Sequence, residues 1–103
     1  MNIENLKAML DQGQDSLILR FGLGQALIKT GDAEEAIVHL LKALEFDKEY
    51  SAAYKLLGKA YMQTEQNDLA KSIYEKGIEI AENKGDIQAA KEMKVFLKRL
   101  NKN

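Results

Sequence analysis

Apolar side chains recur along this chain every three or four positions, the spacing of one face of a helix. Leu19, Leu23, Ala26 and Leu27 form one such stripe, and Ala36, Ile37, Leu40, Ala43 and Leu44 form the next. Gly31-Asp32 interrupts them, a helix-stopping glycine followed by a good N-cap residue. The pattern predicts helices over about Ser16–Thr30 and Ala33–Phe46. A second pair follows, with Leu57, Ala60 and Tyr61, then Ala70, Ile73, Tyr74 and Ile78. Its break is Glu65-Gln66-Asn67-Asp68, with Asn67 or Asp68 as the expected cap. Short breaks between helices of this length predict antiparallel helical hairpins.

The two pairs are copies of one unit. Shifted by 34 residues, Leu17–Tyr50 falls on Ser51–Lys84, and Leu23, Gly24, Ala26, Thr30, Ala36, Lys42 and Glu45 meet identical residues. Glycine inside a helix costs about 1 kcal/mol relative to alanine. Two in the same phase, Gly24 and Gly58, therefore point to a neighbouring helix too close for a Cβ. Ala36, Ala43 and Ala70 are the expected small partners on its other side.

These residues resemble the tetratricopeptide signature, W-x2-L-G-x2-Y followed by A-x3-F and a later Ala and Pro. The first segment reads Arg20-x2-Leu23-Gly24-x2-Leu27, then Ala36-x3-Leu40-x2-Ala43. The second reads Tyr54-x2-Leu57-Gly58-x2-Tyr61, then Ala70-x3-Tyr74-x2-Gly77. It departs from the signature at Arg20 for the aromatic, Gly77 for alanine, and Lys48 and Glu82 for proline. The resemblance covers about two thirds of the chain and implies an all-α fold: about six helices in antiparallel hairpins, stacked as a short right-handed solenoid.

Both ends are atypical, as terminal units of a solenoid are expected to be. Ile3, Leu6, Met9 and Leu10 make a stripe on a short helix ending near Gln12-Gly13, in the phase of Ile37, Leu40, Ala43 and Leu44. Residues 1–16 thus read as a half-repeat, 17–50 and 51–84 as two full repeats, and 85–103 as a capping helix, all in one domain. Gly85-Asp86 starts that last helix, about Ile87–Leu100, which has no Leu-Gly pair. Ile87, Ala90, Met93, Phe96, Leu97 and Leu100 share one side; Lys91, Lys94, Lys98 and Arg99 line the other. It reads as a cap with a solvated basic face, or alternatively as an interaction helix that self-associates or grips an acidic partner.

Composition narrows the function. The 103 residues are 46% hydrophobic and 30% charged, with no proline, no cysteine and a formal net charge of −1. Helix is favoured throughout, disulfide and thiolate chemistry are excluded, and nucleic acid or an anionic membrane is not the expected partner. No secretory signal is readable at the start and no apolar run approaches a membrane span, so a cytoplasmic location is expected. His39 stands alone, beside the apolar stripe, and reads as a solvated surface histidine. Gly22-Leu23-Gly24 lacks the third glycine of a dinucleotide loop, and Asp11–Asp15 lacks a calcium loop's closing glutamate. No constellation supports catalysis, and no cofactor or metal is expected.

The resemblance implies protein binding, with the first helix of each hairpin lining a concave groove. On those helices Ile18, Phe21, Gln25, Ile28 and Lys29, then Ala52, Lys55, Lys59, Met62 and Gln63, lie beside the packing stripe. Phe21, Ile28 and Met62 are the candidate apolar anchors, Lys55 and Lys59, i,i+4 neighbours, are candidates for holding a carboxylate or an acidic side chain, and Gln25 is a further groove candidate. A family subtype that clamps chaperone tails uses Lys, Asn and Arg; Gly22, Gln25, Leu56 and Lys59 stand at those positions, without an Asn, so such a tail is not expected. The expected function is an adaptor or scaffold for an unidentified protein or peptide. Its alternatives are a homo-oligomeric module such as a homodimer, joined through Met93, Phe96, Leu97 and Leu100, and a non-catalytic accessory subunit of an enzyme.

Overall fold

A computed structural model describes residues 2–102 and contains six helices: α1 (Ile3–Asp11), α2 (Leu17–Lys29), α3 (Ala33–Phe46), α4 (Ser51–Gln63), α5 (Asn67–Lys84) and α6 (Ile87–Asn101). Each packs on the next in the chain, and α2 also touches α4 and α4 touches α6. The backbones of α1 and α3, and of α3 and α5, make no comparably close approach. The layer α2–α4–α6 is therefore the more closely spaced one, the layer that the tetratricopeptide resemblance implies lines the concave groove. The described fold is all-α, 42 × 28 × 19 Å in extent.

Helix ends follow from local chemistry. Asn2 Oδ1 accepts from the Asn5 amide at 2.8 Å, Ser16 Oγ from Leu19 at 3.1 Å, and Asp86 Oδ1 from Ala89 at 3.4 Å. Asp32 starts α3 without such a bond, since its carboxylate accepts from Thr30 Oγ1 at 2.7 Å. The second break differs from expectation: Gln66 is the flanking residue, and Asn67 is already inside α5. After α2 and α4 the chain closes identically, with Asp32 N–H bonding Leu27 O and Gln66 N–H bonding Tyr61 O, both at 2.8 Å. This closure needs a left-handed residue. Gly31 supplies it after α2 (φ +86°), and Glu65 occupies it after α4 (φ +61°).

The paired glycines have the packing role expected of them, with different partners. A Cβ on Gly24 would sit 2.5 Å from Leu40 Cγ, and one on Gly58 would strike the Tyr74 ring. Leu40 and Tyr74 are themselves 34 residues apart, so large side chains rather than Ala36, Ala43 or Ala70 fill the space. Gly77 replaces alanine because Met93 Sδ and Tyr54 Cβ each lie 2.6 Å from where its Cβ would be. Leu23, Leu27, Leu40, Leu57, Tyr74 and Met93 are the largest fully buried side chains. Burying each contributes about 1.5–3 kcal/mol. Leu6 joins Leu19 and Leu23 in a smaller cluster that fixes α1 on α2.

His39 is buried, at 8% exposure, which corrects the surface reading. The cause is Arg20, the residue standing where the signature has an aromatic. Its guanidinium grips Asp15 at 2.8 and 2.9 Å and donates from Nη1 to His39 Nδ1 at 3.0 Å. A guanidinium can only donate, so His39 Nδ1 accepts and its proton is on Nε2, 3.5 Å from Glu35 Oε2. Lys7 on α1 closes the network on Glu35 at 2.9 Å. Spacing alone cannot show this, because the pair comes from two helices 19 residues apart.

Candidate functional site on the concave face

Helices α2, α4 and α6 lie side by side and share one face. Gln25, Ile28 and Lys29 from α2, Lys55, Leu56 and Lys59 from α4, and Glu92 and Phe96 from α6 enclose a cleft of about 250 Å³. The expected residues Gln25, Ile28, Lys55 and Lys59 thus come together. Phe21 and Met62 stand outside this cleft. Phe21 packs edge-on against Tyr50, with ring centroids 5.1 Å apart, and lines a second cleft beside α1. Met62 is half-buried, and its sulfur accepts from the Tyr74 hydroxyl at 3.4 Å.

Two of the expected groove residues are already engaged. Ile28 is only 7% exposed and belongs to the core, so it forms the cleft's floor rather than an open receptor. Lys55 Nζ lies 3.3 Å from Glu92 Oε2 across the α4–α6 junction. Such part-exposed pairs contribute about 0–1 kcal/mol. Lys29 and Lys59 are exposed and have no ion-pair partner among the described residues. They give the inner face its unbalanced positive charge. Leu56 stands at a groove position already named for the chaperone-tail clamp, whereas Glu92 was missed in the sequence. Without a Leu-Gly pair in α6, nothing fixed which of its residues faces inward.

Helix α6 is a lid on the core more than an open interface. Met93 is fully buried against Gly77 and Leu100 is buried at 4%, so these two cannot form a self-association face while α6 is docked. Phe96 and Leu97 are half-buried, and Phe96 stacks on Tyr74 at 5.7 Å. Of the basic residues, Lys94 pairs with Glu82 at 2.6 Å, and Arg99 lies over the Phe96 ring at 5.8 Å. Burial pushes the Tyr74 phenol well above its ordinary range. It is a structural group, held neutral.

Among the described residues no group of histidines and carboxylates is arranged to hold a metal, and no helix is long and apolar enough to cross a membrane. Residues 24–65 match the family described as TPR repeat, and residues 51–84 match the one described as Tetratricopeptide repeat. Over 102 residues the chain is 46% identical to the TPR repeat-containing protein PA0015 of Pseudomonas aeruginosa, covering 99% of this chain and 97% of that one. The chain belongs to the tetratricopeptide-repeat family. Its solenoid is shared by the solution structure of protein BPP2914 from Bordetella parapertussis, at a TM-score of 0.87 and 40% identity, covering 99% and 89% of the two chains. A crystal structure of a tetratricopeptide repeat domain protein from Salinibacter ruber superposes with a TM-score of 0.78 at 26% identity, covering 84% and 97%. Tetratricopeptide repeats are in general protein–protein interaction modules, and this repeat protein has the all-helical architecture of one.

Proposed function

We propose that this tetratricopeptide-repeat protein is an adaptor that binds a segment of a partner protein along the inner face of α2, α4 and α6. The observation that carries the reading is the cleft in which Gln25, Lys29, Lys55, Lys59 and Glu92 surround an apolar floor of Ile28, Leu56 and Phe96. Apolar walls with a few convergent polar groups are the usual makeup of a binding cleft. The two lysines without carboxylate partners favour a segment that brings negative charge. With two hairpins and their end helices the groove is short, so modest affinity is expected for a lone peptide.

The reading is tested by affinity capture from a lysate of the source organism, comparing wild type with Lys59→Glu. Lys59 is preferred to Lys55, because Lys55→Glu would also set two carboxylates against each other at Glu92. A protein retained by the wild type and lost by the equally stable variant supports the groove. The same protein held equally by both places binding elsewhere on the molecule.

A further inference from the structure

Helix α2 carries a glycine that the fold itself does not require. Gly24, Gly58 and Gly77 all sit where a Cβ would collide with a neighbour, whereas nothing lies within 4 Å of the place a Gly22 Cβ would occupy. Gly22 is inside the helix, where glycine is the least favoured residue after proline, and its backbone has no left-handed conformation to accommodate. One period later the same position is Leu56, which helps fill the neighbouring cleft.

Gly22 lies in the wall of a cleft of about 550 Å³ between α1 and α2, beside Leu6, Met9, Ile18 and Phe21, and its missing side chain leaves that wall open. Its walls are mainly apolar and held in place: Leu6 is buried, and the Phe21 ring is braced edge-on by Tyr50. Ile18, at the lip, is 74% exposed, a costly position for an isoleucine that nothing covers. No carboxylate lines this cleft, and Lys29 stands at the end it shares with the cleft beside Lys59. A volume of this order lies within the range of ligand pockets.

We propose that the Gly22 cleft receives a bulky apolar side chain from an acidic, extended segment of the partner protein, with a carboxylate of that segment held by Lys29. The proposal rests on the groove reading above and names the chemistry of its occupant. Without a Cβ at position 22 the partner's side chain reaches the α2 backbone, while Leu6, Met9 and Ile18 supply apolar contact. The charge follows from the lysines of this face, Lys29 and Lys59, which no carboxylate of the described residues neutralises.

The probe is a fluorescein-labelled acidic octapeptide with one central phenylalanine, alongside versions with that residue replaced by serine or its glutamates by lysine. Anisotropy gives the affinities, and amide chemical shifts of the labelled full chain give the location. Wild type is expected to prefer the phenylalanine peptide over the serine one by about tenfold, with shifts at Met9, Phe21 and Gly22. Gly22→Leu, which copies Leu56, is expected to erase that preference while its melting temperature stays equal or rises. Equal binding of the two peptides by wild type, or an undiminished preference in Gly22→Leu, overturns the proposal. If that undiminished preference comes with shifts at Lys59 and Phe96, the cleft assignment fails and the groove reading stands. If no acidic peptide moves Gln25, Lys29 or Lys59, both fail.

Discussion

The α2–α3 and α4–α5 hairpins share a frame and fill it by different chemistry. In α4–α5 the interior is aromatic: Tyr54 donates to the Lys48 carbonyl at 2.7 Å, Tyr74 packs over Gly58, and Phe96 stacks on Tyr74. In α2–α3 the equivalents of Tyr54, Ile73 and Tyr74 are Arg20, His39 and Leu40, and a polar network replaces the aromatic fill. The lesson is that the repeat fixes backbone spacing through its small residues, and leaves the large positions free to be apolar or paired polar. The half-burial of Arg20 is tolerated because Asp15 and His39 accept three of its hydrogen bonds; no buried side-chain nitrogen or oxygen among the described residues lacks a partner.

The sharpest way to break that comparison is to empty its two equivalent large sites. Tyr74→Ala is expected to cost about 4 kcal/mol and Leu40→Ala about 3 kcal/mol, read from urea unfolding midpoints. Equal and small losses would mean that neither hairpin depends on its filled position. Next comes the network. Arg20→Ala leaves the His39 Nδ1 acceptor buried without its donor and should cost about 1–3 kcal/mol. The double change Arg20→Tyr with His39→Ile copies the other hairpin and should recover most of that loss, since well-packed apolar groups can replace buried polar pairs. A double-mutant cycle of wild type, Arg20→Tyr, His39→Ile and the double variant measures the coupling.

Acid separates the hairpins more gently. Burial is the main cause holding the His39 pKa below its ordinary 6.5, with Arg20 adding to the effect and Glu35 opposing it. The unfolded chain therefore binds the proton first as pH falls. Stability is complete above about 6.5, declines below it, and levels once the folded-state pKa is passed. Protonation also removes the lone pair that accepts from Arg20. His39→Ile should abolish this decline, and leave the separate loss at lower pH as Asp15 and Glu35 are protonated. Both carboxylates are held below their ordinary ranges, Asp15 first by its bond to Arg20 and Glu35 first by its bond to Lys7. Urea titrations from pH 7 to pH 5 check it.

The smallest contrast is at the turns. Glu65 adopts the left-handed conformation that Gly31 supplies in the other hairpin. Glu65→Gly should stabilise by about 1 kcal/mol and Gly31→Ala destabilise by about the same amount. Thermal melts that show both changes as neutral would remove backbone strain from the comparison.

Much of this was legible in the sequence because period and packing are one fact here. Gly24 and Gly58 in phase imply two equivalent close crossings, and the crossings set the hairpins. Their partners were not legible: Leu40 and Tyr74 are large, and the eye seeks small residues opposite a glycine. His39 was misplaced because helical spacing registers only its own helix, and its burial depends on Arg20 across the hairpin. On the inner face, Gln25, Ile28, Lys55 and Lys59 do converge, but Ile28 is core and Lys55 is already paired. Those two facts need the third dimension, as does the docking of Met93 and Leu100.

The central claim, that the partner lies on the inner face, is tested most directly by photo-cross-linking in cells of the source organism. A photoreactive residue is placed at Gln25 in one protein and at Ser72, exposed on α5, in another. A defined partner adduct at position 25 that is absent at position 72 is the expected result. The same adduct at 72, with none at 25, would contradict the account and move the interface to the outer helices.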